Sequence, residues 1–535
     1  MAALAALPAT AAAAPNGAFA SDYGNGAISQ FTFGTGDTLS ANGSVSAGSE
    51  PWFESVTPNG KYLYVANWGD GSVSQYSIGA DETLTPLSPA SVSAGPSNGS
   101  IQVAVSPDGR NAYAVNDNGY LTVFNIGSDG TLTSAQTITS GLSGADAVAV
   151  SPDGSSVYVG DSGNGEIFQY DRASSGALTP KAIGSVSGSD VGYLDLAITP
   201  NGKYLYESSE SGTIYEYSVG TGGELSALTP ASVSTGQNAY SVIISPNGQN
   251  AYSSSCSGNY VYQYTVGSDG QLAPLSPATV ATDGCGLPWM TANGGSFYVP
   301  DFSSSVYQYD VSSTGALTPK TPATATFSGA SELWGFIIPP DQGPVAAFSA
   351  TAGKAGKATK FNGSASSDSD GTVAVYDWSF GDGHSLSNGG ATPSHTYRKA
   401  GKYKVTLTVT DDSGCSLTQV FTGQTAYCNG TPAARIVHTV KVVSSTKPLK
   451  LSVSPHSAKA GRSTCYVLRA TSGGHGVKKV TVRLAGHKAT TSANGKAKLC
   501  LVLKKGTYHA RATKTGYKSA VAAIRVTAAS PVFTG

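Results

Sequence analysis

Residues 196–217 read LAITPNGKYLYESSESGTIYEY. Two apolar runs that alternate with a period of two flank a Pro-Asn-Gly turn, and a third alternating run closes on Tyr217. Proline fixes φ at such a turn and glycine accepts a positive φ, so the segment spells strand, tight turn, strand, turn, strand. Moving outward, the turn recurs at Pro58, Pro107, Pro152, Pro200 and Pro246, then in degenerate form at Ala292 and Pro340. The intervals are 49, 45, 48, 46, 46 and 48 residues. The aromatic-ended run recurs in step, at Phe31, Tyr76, Phe124, Tyr170, Tyr217, Tyr264 and Tyr309, and a Leu-Thr-Pro-like segment then leads to a fourth, outer strand. Four strands in about 47 residues, seven times over, is the pattern of a seven-bladed β-propeller. The first aromatic run precedes the first turn and the last turn follows the last aromatic run. One blade is therefore assembled from both ends, with a strand near Phe19 paired to one near Ile337 so that no edge is left free.

The composition agrees with an all-β chain. Of 535 residues 66 are Gly and 27 Pro, and only 12% are charged against ~25% in an average soluble protein. A helical bundle or coiled coil is excluded, and 40% apolar residues argue against charge-rich disorder. The net charge of −1 conceals a division: residues 1–340 hold 6 Lys+Arg and 26 Asp+Glu, whereas residues 341–535 hold 26 and 7. The last 95 residues carry 18 cations and no acid, and all seven His lie at or beyond His384. The six Cys fall two to a domain, so we expect Cys256–Cys285, Cys415–Cys428 and Cys465–Cys500, and an oxidising compartment. No CxxC occurs and the His spacing fits no zinc pattern. Residues 1–14 read as the remnant of a secretory signal peptide. No other segment approaches the ~18 apolar residues of a transmembrane span, and the expected location is extracellular, in association with the cell wall.

Family resemblances follow from particular motifs. The strand after each turn reads YVAN (Tyr64–Asn67), YAVN (Tyr113–Asn116), YVGD (Tyr158–Asp161) and YVPD (Tyr298–Asp301). This resembles the YVTN/lactonase-like propellers, which include 6-phosphogluconolactonase-like enzymes and microbial surface proteins. YDWSFGDG (Tyr376–Gly383), HTY (His395–Tyr397) and GKYKVTLTVTD (Gly401–Asp411) resemble a PKD domain, an immunoglobulin-like β-sandwich; here an insertion bearing Cys415 and Cys428 extends its last strand. The segment TSANGKAKLCLVLKKGTYHARATKTGYKSA, which begins at Thr491, resembles part of a bacterial Ig-like domain. The expected organisation is a propeller over 15–341, a PKD-like sandwich over 342–444 and a basic Ig-like sandwich over 449–528.

Candidate sites come from position in the repeat. About six residues before each turn proline an inner strand begins at the channel mouth. Trp52, Asp146, Tyr240 and Trp334 take that place, with Trp289 near it in a shorter repeat and Glu54 and Asp195 within two residues. Aromatic rings beside carboxylates suit sugars, by stacking and by hydrogen bonds to hydroxyls. None of the six propeller cations falls there, and the domain has no His, which argues against a phosphosugar lactonase. In the PKD-like domain Asp368 and Asp370 form an acidic loop suited to a hard cation, and the resemblance implies Ca²⁺ near it. Together these readings give a secreted, non-catalytic binding or adhesion protein, its propeller presenting a recognition surface and its basic domain holding an envelope polyanion. The expected partner is an envelope polyanion or glycan, with a protein partner open alongside and no specific nucleic acid. The alternative is an extracellular lactonase-like hydrolase with its site in the channel.

Overall fold

The computed structural model describes residues 17–529 except 97, 190, 191 and 193; the signal-like residues 1–14 lie outside the described residues. Residues 17–337 form seven four-stranded antiparallel sheets. Six run outward from the axis in chain order. The seventh joins the inner strand Leu333–Ile337 to Gly17–Asp22, Ala27–Phe33 and Leu39–Ser46, with Phe19 opposite Ile337. The ring closes as the phase of the repeats requires.

Two repeated side chains bind blade to blade. The residue before the closing aromatic of each run is usually Gln, and its amide oxygen accepts from the first N–H of an outer strand in the next blade. Leu84 N lies 2.8 Å from Gln30 Oε1, Leu132 N 2.8 Å from Gln75, Leu225 N 2.7 Å from Gln169 and Leu317 N 2.7 Å from Gln263. Glu216 takes the same part with Leu272 N at 2.9 Å. The Tyr at the head of the YVxN position reaches the same way, and its buried hydroxyl donates to a loop carbonyl of the following blade. Tyr64 meets Gly130 O at 2.7 Å, Tyr158 meets Gly223 O at 2.7 Å and Tyr252 meets Gly315 O at 2.7 Å. The motif is thus an inter-blade clasp: a buried hydroxyl left without its acceptor would cost ~1–3 kcal/mol.

The second domain packs two sheets, Ser349–Ala350 with Ala358–Asn362 and Ser394–Thr396 against a five-stranded sheet built around Gly401–Asp411. Trp378 sits in its core with Phe361, Phe380, Tyr397 and Leu407, as the motif implies. The third domain packs strands around Ser463–Ser472 against a sheet centred on Gly506–Thr513, over a core of Tyr466, Leu468, Val482, Ala512 and Ile524. All three expected disulfides are formed.

The insertion in the second domain does more than extend its last strand. Between Cys415 and Cys428 the chain runs into the propeller channel from the end where the turn prolines lie. Ile198 N donates to Thr422 O (2.9 Å), Val150 N to Gly423 O (2.8 Å), Val105 N to Gln424 O (3.0 Å) and Val56 N to Thr425 Oγ1 (3.0 Å). Each donor stands two residues before its turn proline, so four consecutive blades use the same repeat position. Ser55 Oγ adds a contact of 2.8 Å to Gln424 O, and Gln424 Nε2 donates to Leu196 O. Phe421 and Ala426 are buried in one propeller core cluster and Tyr427 in another. Gly423 has φ +130° and a Cβ there would lie 3.2 Å from the Ala149 Cβ, so the tip needs glycine both for its backbone and for its space. Asp341–Gln342 pairs in parallel with Cys428–Asn429, which ties the propeller exit to the neck of the plug.

Thr425→Val removes the acceptor of the buried Val56 N–H while keeping the side chain's shape. We expect a loss of ~1–3 kcal/mol, read by calorimetry as a lower midpoint for the propeller transition. An unchanged midpoint would mean that the plug contributes nothing to the ring.

Candidate functional site

The channel mouth gathers the aromatic residues that the repeat placed there. Trp52 and Trp334 stack with centroids 4.0 Å apart and planes 24° apart. Phe302 lies 4.0 Å from Trp334, Tyr23 meets Trp52 edge-on at 5.6 Å, and Tyr240 lies 6.2 Å from Trp334. The rings spend their faces on one another. Trp52, Tyr240 and Trp334, with Phe53, Ile101, Gln102 and Leu287, leave a cavity of about 10 Å³, room for one water at most. Trp289 is not part of this set, which corrects its assignment to the mouth. It lies three residues before its turn position rather than six, at the level of Ser55, and stacks on Tyr427 of the plug at 4.6 Å.

The carboxylates beside these rings are buried and separately held. Asp195 Oδ1 accepts from Gln102 Nε2 and Leu196 N, both at 2.9 Å, and Oδ2 from Val242 N at 3.1 Å. Burial still raises it to about 6. Asp146 accepts from Ser162 N at 3.2 Å and burial lifts it to about 7. Glu54, 3% exposed, occupies the space left by Gly335, where a Cβ would lie 1.8 Å from its Oε2; burial raises it to about 8. Among the described residues no three ligand atoms of His, Cys, Asp or Glu converge at the mouth. Three of the six propeller cations are engaged elsewhere: Arg172 pairs with Asp108, Lys181 with Asp171 and Lys320 with Asp310.

A denser acidic site lies where the propeller meets the second domain. Asp368 and Asp370, expected from the loop, are joined by Asp341 from the propeller exit and by Asp411 from the strand that leads into the plug. Asp370 Oδ2 accepts from Gln342 N at 2.9 Å. Asp411 Oδ1 accepts from Cys415 N at 2.7 Å and Ser413 N at 3.0 Å. Both oxygens of Asp341, Oδ2 of Asp411 and Oδ2 of Asp368 are buried without a hydrogen-bond partner, and Asp341 is 0% exposed. Oxygens of Asp341 and Asp411 lie within 4.8 Å of each other and of Cys415 Sγ, but that sulfur belongs to a disulfide and cannot ligate. Burial first, then mutual repulsion, pushes Asp341 far above the ordinary carboxylate range, and Asp368 rises to about 7. Asp368 and Asp370 do not join the group of Asp341 and Asp411, so two carboxylates converge here, and their orphaned oxygens are of the kind a hard cation takes.

Comparison with known proteins fits this geometry. The family described as "Lactonase, 7-bladed beta-propeller" matches residues 14–100 and 55–206, and the PKD domain family matches residues 341–424. The propeller is lactonase-like, and the domain that follows it is a PKD domain. Among solved structures, a putative 6-phosphogluconolactonase from Bacteroides fragilis is 19% identical, with TM-score 0.53, over 60% of this chain and 97% of its own. The periplasmic gluconolactonase of Pseudomonas aeruginosa is 18% identical, with TM-score 0.52, over 61% and 99%. These likenesses concern the fold. The pre-pro-metalloprotease PrtV of Vibrio cholerae is 48% identical over 69 residues, and the collagenase ColA of Clostridium perfringens 48% identical over 54. The matched stretches cover 13% and 10% of this chain, and 7% and 5% of those relatives.

Reading along the chain found the PKD loop carboxylates but not their two partners, which lie 27 residues before Asp368 and 41 residues after Asp370. Only the TVTDD ending of the PKD strand and the degenerate seventh turn, PPDQ, carry a signal for them. The PKD domain also brings Asp382 to His395 Nε2 (2.8 Å) and His384 Nδ1 (3.2 Å), a contact that residue spacing does not announce.

Burial of Asp341 sets the sign of a pH effect. Its folded pKa is raised above its unfolded value, so the native state holds the extra proton and stability falls as pH rises from about 4 toward the folded pKa. In chelator-treated protein Asp341→Asn should raise the thermal midpoint at pH 8 and flatten its decline between pH 5 and 8. A midpoint lowered equally at both pH values would contradict this electrostatic reading.

Proposed function

We propose that the protein is a secreted, cell-envelope-associated binding protein whose lactonase-like propeller serves recognition rather than hydrolysis. The observation that carries this reading is the closed channel. The disulfide-necked plug fills one end, stacked Trp52 and Trp334 seal the other, and the mouth carboxylates form no common centre: Asp146 and Asp195 accept from separate donors, and Glu54 is buried apart with its Oε1 unpartnered. What remains for a ligand is the rim around Trp334 and the 38% exposed Phe302, a stacking edge suited to a glycan.

A hydrolase is the second reading. The named gluconolactonase neighbours favour it, as do Asp195 and Asp146, whose raised proton affinities suit general acid–base work. Phosphorylated and unphosphorylated sugar lactones, assayed by proton release, separate the two. We expect no protein-dependent hydrolysis. Saturable turnover that Asp195→Asn abolishes would establish the hydrolase.

The PKD domain, in the same proposal, takes Ca²⁺ through Asp341, Asp368, Asp370 and Asp411. Bound there, the cation would neutralise the repulsion that adds to burial in raising Asp341 and Asp368, and would join the propeller exit, the acidic loop and the root of the plug. Millimolar Ca²⁺ should raise the thermal midpoint of the parent at pH 8 and leave Asp341→Asn unmoved. An equal rise in both proteins would remove Asp341 from the site.

The basic third domain is proposed as the polyanion anchor. Its cations are exposed, Lys514 alone being half-buried, and among the described residues none of its Lys or Arg forms an ion pair. The acidic propeller therefore does not consume this charge, which stays free to attract an envelope polymer.

A further inference from the structure

We infer that the outer face of the five-stranded sheet in the basic domain is an anion track, and that its ligand is a linear phosphate polymer without bases, laid across the strands. The inference rests on the polyanion-anchor reading and gives that anchor a place and a chemistry. The sheet orders its strands Ser457–Lys459, Ala520–Thr527, Gly506–Thr513, Thr481–Leu484 and His487–Thr490. The register sets Lys488 opposite Arg483, and Arg483 opposite Arg511. All three are exposed. Neighbouring strands lie about 4.8 Å apart, so three positive charges stand in line, at right angles to the strands.

Such a row works against folding. Like charges directly opposite one another destabilise a sheet, and nothing nearby compensates: the last acidic residue of the chain is Asp412, in another domain. Packing does not require the row either, because the inward residues of the same strands, Val482, Ala510 and Ala512, already fill the core. A bound anion supplies the missing partner.

The rest of the face narrows the choice of anion. Two residues along, Thr490, Thr481 and Thr513 form a second row in the same register, a line of hydroxyl donors beside the cations. Guanidinium forks match phosphate oxygens two at a time. The outward positions of the two central strands are Thr507, His509, Arg511 and Thr513, then Thr481 and Arg483, with no Phe, Tyr or Trp among them. Bases would find nothing to stack on, whereas a bare phosphate chain would find donors across these strands, the row of cations ending at the exposed Val521 opposite Arg511. The opposite sheet offers less. Arg469 stands opposite Lys496 and Lys498 follows on the same strand face, but no third strand extends a cation row across the sheet, and the face continues into the Cys465–Cys500 bridge and the exposed Val502.

The test uses the full-length protein with long-chain inorganic polyphosphate and poly(glycerol phosphate), and single-stranded DNA for comparison, as salt is raised from about 50 to about 200 mM. Lys488→Gln, Arg483→Gln and Arg511→Gln combined should weaken polyphosphate binding at least about tenfold at the lowest salt. They should also reduce the log–log salt slope by about one for each cation removed. The thermal midpoint of that protein should stay level or rise, because repulsion has been relieved. Arg469→Gln with Lys496→Gln, on the opposite sheet, should bind close to the parent. If both variants weaken binding in proportion to the charge removed, the track is wrong while polyanion binding stands. If the parent binds neither phosphate polymer, the anchor reading falls with it. Tighter binding of DNA than of either phosphate polymer would overturn the base-free ligand.

Discussion

The inner strand of a propeller blade has one edge paired within its blade and the other turned to the axis, where its N–H groups need acceptors. In an open channel water provides them. Here, in four neighbouring blades, Thr422, Gly423, Gln424 and Thr425 provide them instead, carried in on a loop pinched by Cys415–Cys428. Much else depends on this. It fixes the PKD domain against the propeller, it brings Asp411 and Asp341 to one place at the neck, and it buries Tyr427 against Trp289. A linker without such a loop would leave three independent domains; with it, the first two share a core.

The same constraint shapes the chemistry available to the propeller. A lactonase-like ring is a scaffold, and function on a scaffold is decided at the site. At this site the channel is filled from one end and capped by stacked indoles at the other, and its acids are dispersed rather than gathered at one centre. The groups with strongly altered proton affinity divide into two sets. Mouth acids such as Glu54 are raised because they are buried singly. At the junction Asp341 and Asp368 are raised by burial and by neighbouring carboxylates, and orphaned oxygens of Asp341 and Asp411 come together there, whereas Glu54 Oε1, also without a partner, joins no such group.

Most of the ring was legible because the repeat is written seven times. The turn residues, the Gln before most closing aromatics and the Tyr at the YVxN position recur at fixed phase, and the Gln and the Tyr each serve one repeated bond. The closing pair of Phe19 with Ile337 followed from that phase alone, and the disulfides from their grouping by domain. What the sequence did not disclose were contacts with no repeat to mark them. FTGQTAY, from Phe421, reads as an ordinary insertion, and only Gly423 hints at a tight fit. Trp289 misled because its blade is short, so an aromatic near the expected position stands at the wrong height in the channel. Asp341 belongs by sequence to a turn, and its partnership with Asp368 and Asp411 exists only once the plug has drawn the two domains together. The face of Lys488, Arg483 and Arg511 likewise depends on strand register across three strands, which net charge cannot supply.

The central claim is that residues 422–425 complete the inner edges of four blades. Hydrogen exchange at the amides of Val56, Val105, Val150 and Ile198 measures this most directly. Amides bonded to the plug should exchange as slowly as those in the middle strands of their own blades, opening only when the propeller unfolds. Fast exchange at these four positions, with the middle strands still protected, would mean that the channel is open in solution and that the plug does not hold the ring.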